Sequence, residues 1–343
     1  MRYLTLARTL VYYDGPQVVL GHDGRGTSYL AVGVPTLDDG APLFLAVAVT
    51  EGKLDDYFSE VVDLRHIFRR PKGDRYFTFS LEENRGGRFA LIERAAVDEE
   101  WLPAAGFFAS QHTEPTPGAG AAGMQVTVIP IDGRWDMQDL ATFPNKYADA
   151  YAFMFAVTRE DASSDVSGSQ DHFAELFQRY PWRGGYSTVS FYNDLYREIP
   201  RQQRLKIREI RYASPGVIRI EASALLTDSI RVMVLKINEN WSAIRETYRE
   251  LHSSLSERSF LGASRHEIEP SPSDKAVVRE GCRVLSEAIG FQNLQRIYKL
   301  CDEDWISAAK ILLSFFRRIE ELAAFYDSGK ASFGPTTAGG DVQ

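Results

Sequence analysis

The chain is poor in cysteine and has no surplus of positive charge. Only two of its 343 residues are cysteines, Cys282 and Cys301, and their number and spacing fit neither a disulfide framework nor a metal site. We therefore expect both to be small buried side chains in a reducing environment. The formal net charge is −8, so the molecule as a whole is not attracted to polyanions.

Long hydrophobic runs are also missing. No stretch approaches roughly 18 apolar residues without a charge, which is the length a membrane helix needs. The first residues, MRYLTLARTLVYYDG, lack the apolar core and small-residue cleavage site of a secretion signal. The sequence therefore predicts no membrane span and a cytoplasmic location.

Several signatures of chemistry are missing as well. The sequence contains no Gly-x-Gly-x-x-Gly after a strand, no Walker A lysine, no His-Glu-x-x-His and no Gly-x-Ser-x-Gly. Its six histidines are scattered, and no two have convincing metal-ligand spacing. We predict no cofactor.

What the chain does have is a patterned apolar fraction of 44%, with 25% charged residues, enough for more than one core. Its first part alternates strand-like runs with turns such as Asp23-Gly24, interrupted by a helix predicted over 55–65, which indicates a curved antiparallel sheet or partly open barrel. The predicted fold class is α+β. We expect a β-rich N-terminal domain at 1–110, a linker at 111–123, a mixed section with a hairpin at 124–222, a helical bundle at 223–328 and a flexible tail at 329–343.

The strongest pattern is helical. Apolar residues recur at steps of three or four from Leu226 to Leu255, which predicts one long helix over about 223–257. A second amphipathic helix is predicted over 303–327. Their apolar faces fill either the core of this chain or a seam with a protein partner or second copy.

The segment 207–222, IREIRYASPGVIRIEA, predicts a β-hairpin around Ser214-Pro215-Gly216. Its second arm alternates in character. Ile218, Ile220 and Ala222 are expected to be buried, and the face of Val217, Arg219 and Glu221 to be largely wet.

One candidate active site lies on the long helix. Arg245 and His252 are seven residues apart and so point the same way. The spacing resembles the Arg-x(4–6)-His motif of HEPN-type ribonucleases, which implies action on an RNA 2′-hydroxyl and phosphate. This chain departs from that pattern at Glu246, where a smaller polar residue is usual. A solvated helix face explains the same residues.

Two basic stretches are candidates for nucleic-acid binding, because clustered guanidinium groups attract phosphates. One comprises Arg69 and Arg70 within 65–75, and the other comprises Arg201, Arg204, Lys206, Arg208 and Arg211 within 197–211. The alternative is a surface paired with the surplus acid of the chain.

A weak metal candidate precedes them. Asp38 or Asp39, the strand LFLAVAVT and Glu51-Gly52-Lys53 follow the order used by metal-dependent nucleases. A strand of that length holds Asp39 and Glu51 roughly 25 Å apart, so the favoured interpretation is two polar turns around a buried strand.

The start of the chain carries a resemblance. Tyr13-Asp14-Gly15-Pro16 and Tyr29-Leu30-Ala31 resemble the N-terminal domain of an uncharacterised family of bacterial accessory proteins over about the first hundred residues. The resemblance implies a bacterial origin in a defence-type setting and no catalytic residue. The first functional hypothesis is therefore a non-enzymatic binding or regulatory component. The alternatives are a ribonuclease using Arg245 and His252, and a nucleic-acid-binding module using 197–211.

Overall fold

A computed structural model describes residues 2–12, 15–34, 43–83, 86–112, 123–159, 172–183, 185–263, 267 and 269–334. The chain divides into two compact units, Met1–Gly120 and Ala121–Gln343, so the change of unit falls within the segment predicted to be a linker. The predicted α+β class is confirmed. Among the helices that the structure describes, none is both long and apolar enough to cross a bilayer.

The first unit is a six-stranded antiparallel barrel. Its strands are β1 (Arg2–Tyr12), β2 (Pro16–Asp23), β3 (Ser28–Val34), β4 (Leu43–Val49), β5 (Tyr76–Ser80) and β6 (Arg88–Arg94). Each strand pairs with the next, and β1 pairs with β6 from Arg2↔Leu91 to Thr5↔Arg88. The barrel is therefore closed, where the sequence left an open sheet possible.

Strand alternation gives the barrel two apolar layers. One buried cluster takes residues from all six strands, including the stacked rings of Phe44 and Phe79, and so forms the interior. The other cluster lies on the opposite strand faces and is covered by α1 (Glu51–Phe58) and α2 (Leu64–Arg69). The single helix predicted over 55–65 is wrong, because Thr50 caps the start of α1 and Asp63 caps a new start at α2.

The second unit joins a small sheet to eight helices within its described residues. The strands are β7 (Met124–Ile131), β8 (Lys206–Arg211) and β9 (Gly216–Ser223), in the order β7-β9-β8. The helices are α3 (Met137–Thr158), α4 (His172–Arg179), α5 (Gly185–Glu198), α6 (Ala224–Glu239), α7 (Trp241–Glu257), α8 (Pro272–Ile289), α9 (Leu294–Leu300) and α10 (Trp305–Asp327), of which α9 is a short connecting turn of helix.

The hairpin β8–β9 is confirmed, but its burial differs from the prediction. Because β9 is the central strand, Val217 and Glu221 are buried along with Ile218 and Ile220. Glu221 accepts a charge-assisted hydrogen bond from Arg208 on β8, which satisfies its carboxylate. The face of Val217, Arg219 and Glu221 was predicted to be largely wet. In the structure Glu221 on this face is ion-paired and buried, and only Arg219 of the three is exposed.

The single long helix over 223–257 is also wrong. Asn240 has φ −131° and ψ 33°, which ends α6 and starts α7. The apolar stripe continues across the break, so its period does not reveal it. The stripe is buried inside this chain at either end and in the middle, at Leu226, Leu255 and Ile237. The same face therefore does not form a seam between chains.

Helix α10 is the centre of the second unit. It packs on α3, α6, α7, α8 and α9, and its buried residues surround it on nearly every side. A seam through 303–327 is contradicted for the same reason. One apolar cluster extends from β7 through α3 to α10, so 124–222 and 223–328 share a core instead of forming separate parts. Both cysteines are buried in it, as predicted.

The beginning of the predicted flexible tail is ordered. Ser332 N donates to Pro130 O over 2.9 Å, and Gly334 N donates to Val128 O over 3.3 Å. Phe333 stacks on Tyr326 with ring centroids 4.1 Å apart. Residues 330–334 thus cover the outer edge of β7, which corrects the expectation for that part of 329–343.

Candidate functional site

A polar stripe crosses the otherwise apolar helix α10. Lys310, Ser314 and Arg318 follow one another at steps of four and are all buried, at 7%, 0% and 6% exposure. Arg317 and Glu321 continue the same side of the helix at helical spacing. Buried polar groups require hydrogen-bonding partners, so on this side α10 must contact polar groups and not only apolar side chains.

The stripe borders a cavity of about 530 Å³, here named the cationic cavity. Its lining combines residues from α3, α5, α7, α10 and the segments before α5 and after α7. The lining residues are Lys146, Trp182, Arg183, Thr188, Val189, His252, Leu261, Lys310, Leu313, Arg317, Arg318 and Glu321. Five lysines and arginines face a single acid there, so the wall carries excess positive charge.

Three of these cations are neutralised within the chain. Lys146 pairs with Glu321 at 2.9 Å and Arg183 pairs with Glu267. The third, Arg318, donates from Nε to Asp149 Oδ2 at 2.8 Å. These pairs fix the side chains that line the cavity. They leave two positive charges, those of Lys310 and Arg317, uncompensated by any of the three acids.

Lys310 is the more deeply placed of the remaining two. Its Nζ donates to the carbonyl oxygen of Ala263 at 2.5 Å, and it makes no ion pair with a described residue. Burial lowers the pKa of Lys310 to about 8; Asp304 and Glu267 oppose that shift and Arg183 adds to it. A buried ammonium with one carbonyl partner has further donors available.

Arg317 is the second. It is exposed, and its guanidinium donates to Tyr248 Oη at 3.2 Å; within the described chain it pairs with no carboxylate. The ring of Tyr248 in turn stacks on His252 and on Phe316. Tyr248 therefore places Arg317 and His252 beside each other at the cavity wall.

A third available donor is the indole of Trp182. The side chain lines the cavity at 5% exposure, and its Nε1–H is buried with no acceptor among the described residues. A donor in that position is unfavourable unless a ligand or solvent molecule supplies an acceptor. The wall thus offers two cations and an N–H group to an anion.

The structure separates the two residues of the predicted nuclease motif. Both lie on α7, but only His252 lines the cationic cavity. Arg245 Nε pairs with Glu320 at 3.4 Å, and its guanidinium lies 5.6 Å from the ring centroid of Trp241. His252 is therefore brought together with Arg317, while Arg245 is engaged elsewhere.

The basic stretch at 197–211 is partly consumed by local structure. Arg204 donates to the carbonyl oxygens of Ile199 and Arg197, which closes the end of α5, and Arg208 pairs with Glu221. Lys206 and Arg211 on β8 make no ion pair with a described residue. Arg201 lies in a 3₁₀ turn before β8. Nucleic-acid binding by this stretch stays a prediction.

The other basic stretch belongs to the first unit. Arg65 and Arg69 both pair with Glu99, and Arg75 pairs with Glu93 at 3.6 Å. The carbonyl oxygen of Arg70 accepts a hydrogen bond from Lys53 Nζ. Much of the charge of this stretch is therefore compensated locally.

Of the weak metal candidates, Glu51 is the exposed first residue of α1, and Asp39 lies outside the described residues. Within the described ranges, no cluster of three His, Cys, Asp or Glu side chains is placed to hold a metal ion.

Sequence reasoning missed Lys310, Arg317 and Arg318. A signal was present, because Lys310, Ser314 and Arg318 recur at steps of four along the amphipathic helix predicted over 303–327. No protein-family model, no curated protein and no solved structure matches this chain, so the geometry of the cationic cavity is the guide to function.

Proposed function

We propose that this chain is a non-enzymatic binding protein whose second unit binds a phosphate-bearing ligand in the cationic cavity. The observation that carries the proposal is the pair Lys310 and Arg317, two cations without a carboxylate partner among the described residues that line the same cavity. Phosphate oxygens accept hydrogen bonds from both groups and compensate their charge. The indole Nε1–H of Trp182 is a further donor for the same ligand.

The biological setting that we propose is a cytoplasmic bacterial accessory system, of the defence type. What supports it is the resemblance carried by Tyr13–Pro16 and Tyr29–Ala31. A phosphorylated small molecule bound by the second unit gives such a component a regulatory input.

The binding experiment uses the full chain and isothermal titration calorimetry with inorganic phosphate, AMP and a short RNA oligonucleotide as separate probes. We expect saturable binding of at least one probe. Lys310→Met and Arg317→Gln should each weaken it by tenfold or more, because each removes a charge-assisted hydrogen bond worth about 1.5–3 kcal/mol. The three probes distinguish a free anion from a nucleotide and from a polynucleotide.

The matched control is Arg249→Gln, which removes a positive charge from the exposed surface of α7, outside the cavity. Its affinity should stay within twofold of the unchanged protein. Equal weakening by Arg249→Gln would indicate nonspecific electrostatic attraction and overturn the proposal. Absence of saturable binding by all three probes would overturn it as well.

A second candidate function is RNA cleavage, favoured by the position of His252 beside Arg317. His252 would take the proton of a 2′-hydroxyl, whose oxygen attacks the phosphorus. The bond from phosphorus to the 5′-oxygen breaks, and this oxygen leaves with a proton taken from water, giving a 2′,3′-cyclic phosphate. In this candidate Arg317 contacts the phosphate in place of Arg245.

The test is cleavage of a labelled RNA by the full chain. His252→Ala and Arg317→Gln should abolish cleavage, whereas Arg245→Ala should leave it unchanged if the pairing with Glu320 defines its role. Cleavage that survives His252→Ala excludes this chemistry. Phosphate binding without any cleavage supports the non-enzymatic function.

A further inference from the structure

A second cavity lies on the other side of the Arg318–Asp149 pair, and its lining is chiefly apolar. It measures about 490 Å³ and lies where the sheet faces α3 and α5. We name it the apolar cavity. It is lined by Ile129, Phe143, Pro144, Asn145, Tyr147, Ala148, Asp149, Asn193, Tyr196, Arg197, Leu205, Ile207, Ile210, Ile218 and Ile220.

Isoleucines of the hairpin form one wall of this cavity. Ile207 pairs with Ile220 across the two strands, and Ile210 pairs with Ile218. The β9 members are buried, whereas Ile207 and Ile210 on β8 are 57% and 47% exposed. Two exposed isoleucines in one cavity wall leave apolar surface, and a ligand that covers this surface gains free energy by removing it from water.

One polar group in the lining of the apolar cavity is a hydrogen-bond acceptor, the carboxylate of Asp149. Asp149 uses Oδ2 to bind Arg318, and its Oδ1 accepts no hydrogen bond from a described residue. The carboxylate is three-quarters buried, with 24% of its side chain exposed. The charged side chain of Arg197, which also lines the cavity, is far more exposed, at 76%, and pairs with Asp194. A donor group on the ligand would therefore meet Asp149.

The strand next to the cavity is poorly suited to pairing with another strand. β8 is an edge of the sheet, but its register shifts between Ile207 and Glu209. Three of its six residues are basic, namely Lys206, Arg208 and Arg211. A bulge and edge charges are features that oppose strand addition, which argues against a second copy or an extended peptide as the occupant.

We propose that the apolar cavity binds a small molecule with an apolar body and a hydrogen-bond-donating head group, an alcohol or an amine. The isoleucine wall receives the body, and the carboxylate of Asp149 receives the head group. This site is separate from the cationic cavity, and the two are tested independently.

The experiment compares three probes with the same chain length, octan-1-ol, octylamine and octanoate, by calorimetry on the full chain. We expect the alcohol and the amine to bind, and octanoate to bind at least tenfold more weakly because its carboxylate meets that of Asp149. Ile210→Glu should weaken octan-1-ol binding by at least tenfold, since it places a charge in the apolar wall. Val126→Glu, an exposed position on β7 of the same sheet, should change it by less than twofold.

Equal binding of octanoate, equal weakening by Val126→Glu, or no saturable binding of any probe would overturn the proposal. If Ile210→Glu does not fold, Ile210→Trp fills the same space without a charge and should also weaken binding. Light scattering tests whether a second copy of the chain occupies this surface instead. A dimer that Ile210→Glu or Ile210→Trp dissociates would assign the surface to a second copy and overturn the small-molecule proposal. Phosphate binding by the same variants should be unchanged, so failure of one proposal leaves the other standing.

Discussion

Arg318 donates from Nε to Asp149 Oδ2 at 2.8 Å, and its guanidinium lies 3.5 Å from the ring centroid of Tyr192. The same guanidinium also donates to the carbonyl and hydroxyl oxygens of Ser314 one turn earlier on α10. This pair joins α10 to α3. It also borders both cavities, because Arg318 lines the cationic cavity and Asp149 lines the apolar cavity.

The pair should make a large contribution to stability when only one partner is removed. Arg318→Met leaves the buried carboxylate of Asp149 without its cation, and we expect a loss of about 3–5 kcal/mol in the free energy of unfolding in urea. Burial already raises the pKa of Asp149, so in the variant this group takes up a proton more readily. The loss should therefore be larger at pH 7 than at pH 4.

The matched control is Arg249→Met, which breaks an exposed pair with Glu246. Exposed pairs of this kind contribute about 0.3–0.5 kcal/mol, so the control should stay near that value at both pH values. An Arg318→Met loss below about 1 kcal/mol at pH 7 would contradict the structural role of the pair.

Lys310 should make stability rise with pH in the alkaline range. Its folded pKa is about 8 against an ordinary value of 10.5, so between these values the unfolded chain binds more protons than the folded one. The penalty is fully present below about pH 8 and amounts to about 3 kcal/mol. Lys310→Met should therefore be more stable than the unchanged protein at pH 7, by an amount that narrows toward pH 10. Lys275→Met, on the surface of α8, should show no such narrowing in urea titrations.

The protonation state of Lys310 should also control how strongly the cationic cavity binds an anion. Sulfate keeps its charge over this range, so sulfate is the probe for the pH dependence. Its affinity should fall as pH rises from 7 to 9, because Lys310 loses its positive charge. In Lys310→Met the affinity should be weak and nearly independent of pH. A fall of the same size in that variant would show that another group is responsible.

The segment 330–334 should stabilise the second unit through its contacts with β7 and Tyr326. Phe333→Ala removes a stacked ring and the contact with Arg231, and we expect a loss of about 1–2 kcal/mol. Ser332→Pro removes the N–H that donates to Pro130 O and should cost about 1 kcal/mol or more. Both are measured by urea unfolding. An unchanged free energy of unfolding in both variants would indicate that these contacts do not contribute to stability.

Gly216 should not tolerate a side chain. A Cβ at this position would lie 2.5 Å from Arg211 O and 2.8 Å from Ala213 O, both backbone atoms. Gly216→Ala should therefore destabilise the hairpin by about 2 kcal/mol or more, since the backbone must move. Gly262→Ala, where nothing lies within 4 Å of the new Cβ, is the control and should be close to neutral in thermal unfolding.

The sequence by itself determined the type and order of most elements. Period-two runs predicted the barrel strands, the Ser214-Pro215-Gly216 turn predicted the hairpin, and the spacing from Leu226 to Leu255 predicted a buried helical face. These signals are local, because a strand or a helix must present its apolar side chains on one face. The number and spacing of Cys282 and Cys301 likewise led to the prediction of two small buried side chains.

Tertiary structure decided what local patterns do not contain. Pairing of β1 with β6 closes the barrel, and the break at Asn240 lies inside an uninterrupted apolar period, which reports the face of a helix and not the direction of its axis. Glu221 is buried because Arg208 on a neighbouring strand supplies its counter-charge. The spacing of the polar stripe on α10 is visible in the sequence, but the cationic cavity also needs Lys146, Trp182 and His252, which line it from other elements. Charge and burial are properties of that three-dimensional neighbourhood, so only the folded chain brings them together.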